Sequence, residues 1–209
     1  MSGGHLSKDF FDLVKSIGES RSKQEEDHII LREVGVLKKA MAAQQVTPKM
    51  MKEYIIRMIY VEMLGHDASF GHIQAVKMVS QKDLLLKRVG YLGCSLTLHQ
   101  DHQFMLLLVN TLQTDLRSDN YLEVRAIFVL FALDLTFMCT IFLSQVCMAL
   151  TVVAKLINGE LIPVLIPLVI KVLDHQQALV RKKAVLVLQK FFQIDPSCTT
   201  PFLDKVKLV

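Results

Sequence analysis

Apolar residues recur every three or four positions along almost the whole chain, and short polar or Gly/Pro breaks cut the pattern into helix-sized pieces. Phe10, Leu13, Val14 and Ile17 predict a first amphipathic helix, stopped by Gly18. Ser20 is the expected cap of a second helix, with Ile30, Val34, Leu37 and Met41 as its stripe. Its other face carries Arg21, Lys23, Arg32, Lys38 and Lys39. Thr47-Pro48 opens a third helix, with Pro in the first turn where its missing N–H costs nothing. Its inward positions are Met51, Ile55, Met58, Ile59 and Met63, and Gly65 ends it.

From Met63 to Asn120 the rhythm is densest. Asp67 and Ser69 can cap a helix with the stripe Phe70, Ile73, Val76 or Lys77, and Val79. Asp83 caps the next, with Leu85, Val89, Leu92 and Leu96 facing inward. Gly90 falls inside that helix, where Gly costs about 1 kcal/mol against Ala, so close approach by a neighbour is its expected reason. Asp101 is the expected cap of His102–Leu116, Ser118-Asp119-Asn120 a break, and Tyr121 a new start. Asn158-Gly159 breaks the chain again. Glu160–Leu173 then reads as a helix with Pro163 in its first turn and Pro167 as a kink. Past the turn Asp174-His175-Gln176, the stripe Val180, Ala184, Val187, Leu188 and Phe191 runs to Asp195-Pro196.

These elements predict an all-α protein built as an α-solenoid of HEAT/armadillo-like helical hairpins. Helix starts near 69, 84, 102, 121, 160 and 177 put alternate helices 33 and 37 residues apart, then 58 and 56. The excess lies in Arg125–Val146, RAIFVLFALDLTFMCTIFLSQV, and removing those 22 residues restores steps of 36 and 34. Ala126–Leu143 is long enough for a transmembrane span. Asp134 at its centre would cost about 2.5–3.5 kcal/mol there, and its flanks read as repeat helices that belong in water. A single 37-residue helix would reach ~55 Å, far past its neighbours. The favoured expectation is a foreign insert at 125–146 within a 1–209 repeat fragment, with a small membrane protein anchored through 126–143 as an alternative.

Composition narrows the function classes. Apolar residues make up 52% of the 209, with a mean hydropathy of +0.38, values that suit a helical stack covered by neighbours. Cys94, Cys139, Cys147 and Cys198 show no paired spacing and are expected to be reduced thiols in a cytosolic protein. The N-terminal stretch lacks the pattern of a signal peptide, and Gly3 is one position off a myristoylation site. A net charge of +4 permits attraction to an anionic membrane without implying nucleic acid.

Candidate chemistry is sparse. His99-x-x-His102 with Asp101 is the only metal-like cluster, and it straddles a break without a third or fourth ligand, so a capping role suffices. His66, Asp67 and His72 sit around a hinge as expected caps. Nothing resembles a phosphate loop, a nucleophile elbow or a Cys/His pair, and neither an enzyme nor a cofactor is expected. The basic residues Lys38, Lys39, Lys49, Lys52, Lys87 and Arg88 are candidates for a membrane-facing surface, each worth about 1 kcal/mol near anionic lipid, or for an ordinary solvated face. Arg181, Lys182 and Lys183 open a repeat's second helix. There a structural role is expected, with Arg181 paired to a turn acid such as Asp174.

Met63-Leu64-Gly65, Ala68-x-Phe70-Gly71, Lys77, Lys87-Arg88-x-Gly90-Tyr91-Leu92, Asn110 and Asp115-Leu116 together resemble the N-terminal trunk of the large adaptin subunits. Within that family, KMMKE, EMLGHDASFG, LLLVNT and VRKKA look most like the epsilon branch, which belongs to the fourth adaptor protein complex. The resemblance covers about residues 7–124 and 147–195. It departs where family members run EVCMALT unbroken, since here Glu123-Val124 and Cys147 are split, and where family trunks continue past 209. It implies a non-catalytic scaffold subunit of a heterotetrameric vesicle coat adaptor, peripheral on cytoplasmic Golgi and trans-Golgi network membranes. The implied partners are a small sigma-type subunit, the other large and medium subunits, an Arf-type small GTPase and an anionic membrane surface. It places GTPase-facing apolar positions at Ile73, Val76 and Leu107, for each of which core packing is the competing role. A generic helical-repeat scaffold remains the alternative.

Overall fold

The computed structural model describes residues 7–117 and 145–199, all helices, turns and connections among the described residues. It divides into two compact units, Met1–Leu98 and His99–Val209.

The first unit holds α1 (Lys8–Gly18), α2 (Lys23–Ala42), α3 (Pro48–Met63), a 3₁₀ turn Ser69–Gly71 leading into α4 (His72–Val79), and α5 (Leu84–Thr97). Thr47 caps α3 by accepting from the Met50 N–H, and Asp83 caps α5 by accepting from the Leu85 N–H. Ser22, not Ser20, caps α2 by accepting from the Glu25 N–H. The Ser20 hydroxyl instead donates back to the Ile17 carbonyl at the end of α1. Gly65, at φ 84°, supplies the left-handed step that ends α3. Ile30, Val34, Leu37 and Met41 of α2 meet Ile55, Met58, Ile59 and Val61 of α3, with Ala68, Met78 and Leu86 completing one core. Met63 does not join it: the helix ends there and the side chain is 71% exposed.

α5 docks on α4 and α3 through a different face from the expected one. Leu86, Gly90, Tyr91, Gly93, Cys94 and Thr97 are buried, while Leu85, Leu92 and Leu96 are 59%, 49% and 40% exposed. The glycines explain the rotation. A methyl group on Gly90 would lie 2.5 Å from the Val79 backbone nitrogen and 2.8 Å from the Met78 carbonyl carbon. One on Gly93 would lie 3.2 Å from both Ala75 Cβ and Ile55 Cγ2. Small side chains let the backbones close, and the dispersion gained there outweighs burial of the leucine stripe.

The second unit holds α6 (Met105–Leu116), α7 (Gln145–Leu156), a 3₁₀ turn Gly159–Leu161, α8 (Ile162–Val172), α9 (Ala178–Ile194) and a 3₁₀ turn Pro196–Thr199. α6 packs on α7 and α8, and α9 on α7 and α8. Leu108, Leu112, Leu150, Val153, Leu165, Val169 and the whole expected stripe of α9 are buried. Pro163 falls in the first turn of α8 and Pro167 inside it. Asp101 does not cap α6, whose N-cap is Phe104 with no side-chain bond. His102 Nδ1 accepts the Phe104 N–H and delays the helix by a turn.

The expected insert lies outside the described residues except for Gln145 and Val146, which form the first turn of α7. The candidate span 126–143 lies wholly outside them. Among the described residues no helix is long and apolar enough to cross a membrane.

Candidate docking surface

The face that α5 leaves uncovered carries Leu85, Leu92 and Leu96, while half-buried Val89 between them packs against the core of α2 and α3. Spacings of seven and four residues keep the three leucines on one side of the helix. Full burial of one leucine side chain contributes about 1.5–3 kcal/mol, so a seam of this length is a substantial unused contact surface. Lys82 lies exposed beside it, with half-buried Arg88. The sequence signal for this outcome was present as a second stripe of small residues, Gly90, Gly93 or Cys94, and Thr97, at the same helical spacing.

Of the apolar positions implied for a GTPase, Ile73 and Val76 lie on α4 in the first unit and Leu107 on α6 in the second. Val76 is only 6% exposed and is part of the packed face of α4. Ile73 is half-buried. Leu107 is 55% exposed beside the still more open Leu106.

The basic residues separate as well. Lys38, Lys39 and Lys49 are exposed and Lys52 is half-buried. Lys38 Nζ sits 5.3 Å from the centroid of the Phe70 ring, within cation–π range. Lys87 departs from its expected place: it follows Leu86 onto the docked side of α5 and is only 7% exposed, so it is not offered to a membrane. Gly90 and Tyr91 are buried on the same helix. On α9 the Arg181 guanidinium donates to the carbonyls of His175 (2.9 Å) and Gln176 (3.0 Å), engaging the turn through its backbone. Lys183 Nζ reaches Thr151 Oγ1 of α7 at 2.9 Å, and Lys182 is exposed.

Several other polar groups among the described residues pair with one another or with the backbone. Arg57 of α3 and Glu33 of α2 form a buried ion pair at 2.6 Å, with Glu53 at 3.9 Å from the same guanidinium. Asp67 accepts from the Ser69 N–H, which holds its carboxyl below the usual range. His66 Nε2 lies 3.2 Å from Asp27. The His99 and His102 rings meet edge to face at 5.3 Å, and burial, with His99 alongside, holds His102 below its ordinary pKa. Burial pushes the Cys94 thiol up to about 12, so it is inert as a thiolate. Among the described residues no group of three or more His, Cys, Asp or Glu could hold a metal ion.

The family model described as Adaptin N terminal region matches residues 32–146. The AP-4 complex subunit epsilon of Arabidopsis thaliana is 50% identical over 201 residues, which is 96% of this chain and 19% of that protein. The human AP-4 complex subunit epsilon-1 is 45% identical over 185 residues, 88% of this chain and 14% of that protein. The AP-2 complex subunit alpha-1 of Arabidopsis thaliana is 30% identical over 187 residues, 88% of this chain and 16% of that protein. The chain thus spans less than a fifth of the length of these relatives.

Proposed function

This chain belongs to the adaptin N-terminal region family, and from that premise we propose that it acts as a non-catalytic scaffold, part of the large subunit of a heterotetrameric coat adaptor that sorts cargo at the trans-Golgi network. The observation that supports this reading is the seam of exposed Leu85, Leu92 and Leu96 on α5, apolar surface suited to a protein partner. Its proposed occupant is the small sigma-type subunit, with the other large and medium subunits joining through the rest of the trunk. Lys38, Lys39, Lys49 and Lys52 are proposed to face anionic membrane, and Ile73 and Leu107 an Arf-type GTPase. Val76 then supports α4 from within and does not touch the GTPase. Leu92→Asp with Leu96→Asp should abolish co-purification of the small subunit and leave helix content unchanged. Retained co-purification would overturn the assignment of the seam. Ile73→Asp with Leu107→Asp should abolish GTPase-dependent membrane recruitment while small-subunit binding persists.

A second reading concerns 125–146, which we propose is foreign to the fold. α4 to α6 and α7 to α9 each step 33 residues from start to start, whereas α6 to α8 steps 57. Gln145 and Val146 stand where an unbroken chain would place Glu123 and Val124, and Gln145 donates its amide to the buried Asp115. Peptides from the native protein that read directly from Glu123-Val124 into Cys147 support the insert, and peptides spanning 125–146 overturn it. Carbonate extraction that fails to release the protein would favour the membrane-anchored alternative.

A further inference from the structure

We infer that Asn158 is a site of spontaneous modification, losing its side-chain amide through a cyclic imide with the Gly159 nitrogen. Two observations on the connection between α7 and α8 carry this. No hydrogen bond holds the Asn158 side-chain oxygen: Oδ1 is buried without a partner, the one such side-chain atom among the described residues. A buried polar atom left unpaired is a standing penalty, so the amide has nothing to surrender when it swings toward the main chain. The attacking nitrogen is not held either, while the Asn158 carbonyl anchors the turn by accepting from the Leu161 N–H at 3.2 Å. Asn158 is extended (φ −94°, ψ 170°), outside any helix, and Gly159 is the exposed first residue of its 3₁₀ turn, whose N–H has no acceptor within that turn. Gly159 also has no side chain to obstruct approach to the Asn158 Cγ.

The chemistry needs only water. The Gly159 backbone nitrogen gives its proton to solvent base and attacks Cγ of Asn158. A C–N bond forms, the Cγ–Nδ2 bond breaks, and ammonia leaves with a proton from solvent, closing a five-membered imide. Water then adds to one of the two imide carbonyls. Opening at one regenerates the ordinary main chain with aspartate, and opening at the other routes the main chain through Cβ as isoaspartate. Nothing is oxidised or reduced. Either product suits the site worse than asparagine does. Aspartate sets a charge where Oδ1 already lacks a donor, and isoaspartate lengthens the connection between the buried Ile157 and Ile162. The modification is therefore a slow, one-way loosening of the α7–α8 connection.

The test is peptide mapping of the chain after prolonged incubation at 37 °C and mildly alkaline pH, folded and in urea. Asn110, exposed in the middle of α6 with its neighbour's N–H tied into the helix, is the internal control. The expected result is aspartate and isoaspartate at 158 in the folded chain, within a few-fold of the rate in urea and many-fold above Asn110. Gly159→Ala should slow it several-fold in both states. That variant is expected to fold, because the added methyl meets only Ile194 Cγ2, at 3.6 Å. Suppression at 158 in the folded chain to the level of Asn110, with full reaction in urea, would overturn the inference. So would an unchanged rate in Gly159→Ala.

Discussion

α5 and α9 both form packed helix pairs with the element before them, and their sequences promise the same thing: a row of large apolar side chains turned inward. α9 delivers it, with Val180, Ala184, Val187, Leu188 and Phe191 all buried. α5 does not, because Gly90 and Gly93 let the face one residue round from the leucines settle onto α4 and α3 more closely than leucines would allow. Packing of backbone against backbone settles which stripe goes in. The leucines it displaces stay exposed among the described residues.

The sharpest contrast is truncation of one large side chain in each helix. Phe191→Ala should cost about 3–5 kcal/mol by opening a cavity in the second unit. Leu92→Ala should change stability by no more than about 0.5 kcal/mol, as for other exposed positions. Urea unfolding of the two variants measures both, and similar losses would erase the distinction. Gly90→Val attacks the cause: its side chain must push the backbone of α4 away, for an expected loss of about 1–3 kcal/mol or more. Leu92 and Leu96 should then become less accessible if α5 rolls back toward its leucine face. Labelling of Leu92→Cys in that background would report it. Lys38→Ala, which removes the contact with Phe70, should cost about 0.5–1 kcal/mol.

The smallest expected effect is a pH dependence. His102 is held below its ordinary value in the folded chain, so the unfolded chain binds its proton more readily. Its contribution is fully present above the ordinary histidine range and is lost as the pH falls through the unfolded and then the folded value. His102→Gln should flatten the unfolding midpoint across that window relative to the parent. An equally steep dependence in the variant would assign it to other groups.

Much of the fold was legible because local chemistry decided it. Thr47-Pro48 and Asp83 mark helix starts through bonds within three residues, and Gly65 marks a stop through its backbone conformation alone. Gly90 announced a close neighbour. What stayed hidden depended on competition between residues. Ser20 and Ser22 both suit a cap, and the one nearer the helix took it. Asp101 lost the start of α6 to a ring nitrogen of His102, a bond that requires the turn to exist first. The roll of α5 was undecidable from period alone, since leucine and glycine stripes share it. Lys87 then moved from expected surface to interior by one residue's angular step. The surface candidates were the least legible. Exposure at Ile73, Val76 and Leu107 depends on neighbours that a stripe cannot specify.

The buried pair of Glu33 and Arg57 has a consequence for assembly rather than for stability. Hairpins in a repeat protein resemble one another, and apolar stripes tolerate sliding by a turn. Two opposite charges that meet at a single alignment of α2 on α3 do not: a slip leaves Glu33 in the interior without Arg57, at a cost of about 3–5 kcal/mol, while Glu53 stays beside Arg57 on its own helix. The pair acts as a key cut once into an otherwise repetitive surface. It favours one alignment of the hairpin on which later repeats stack.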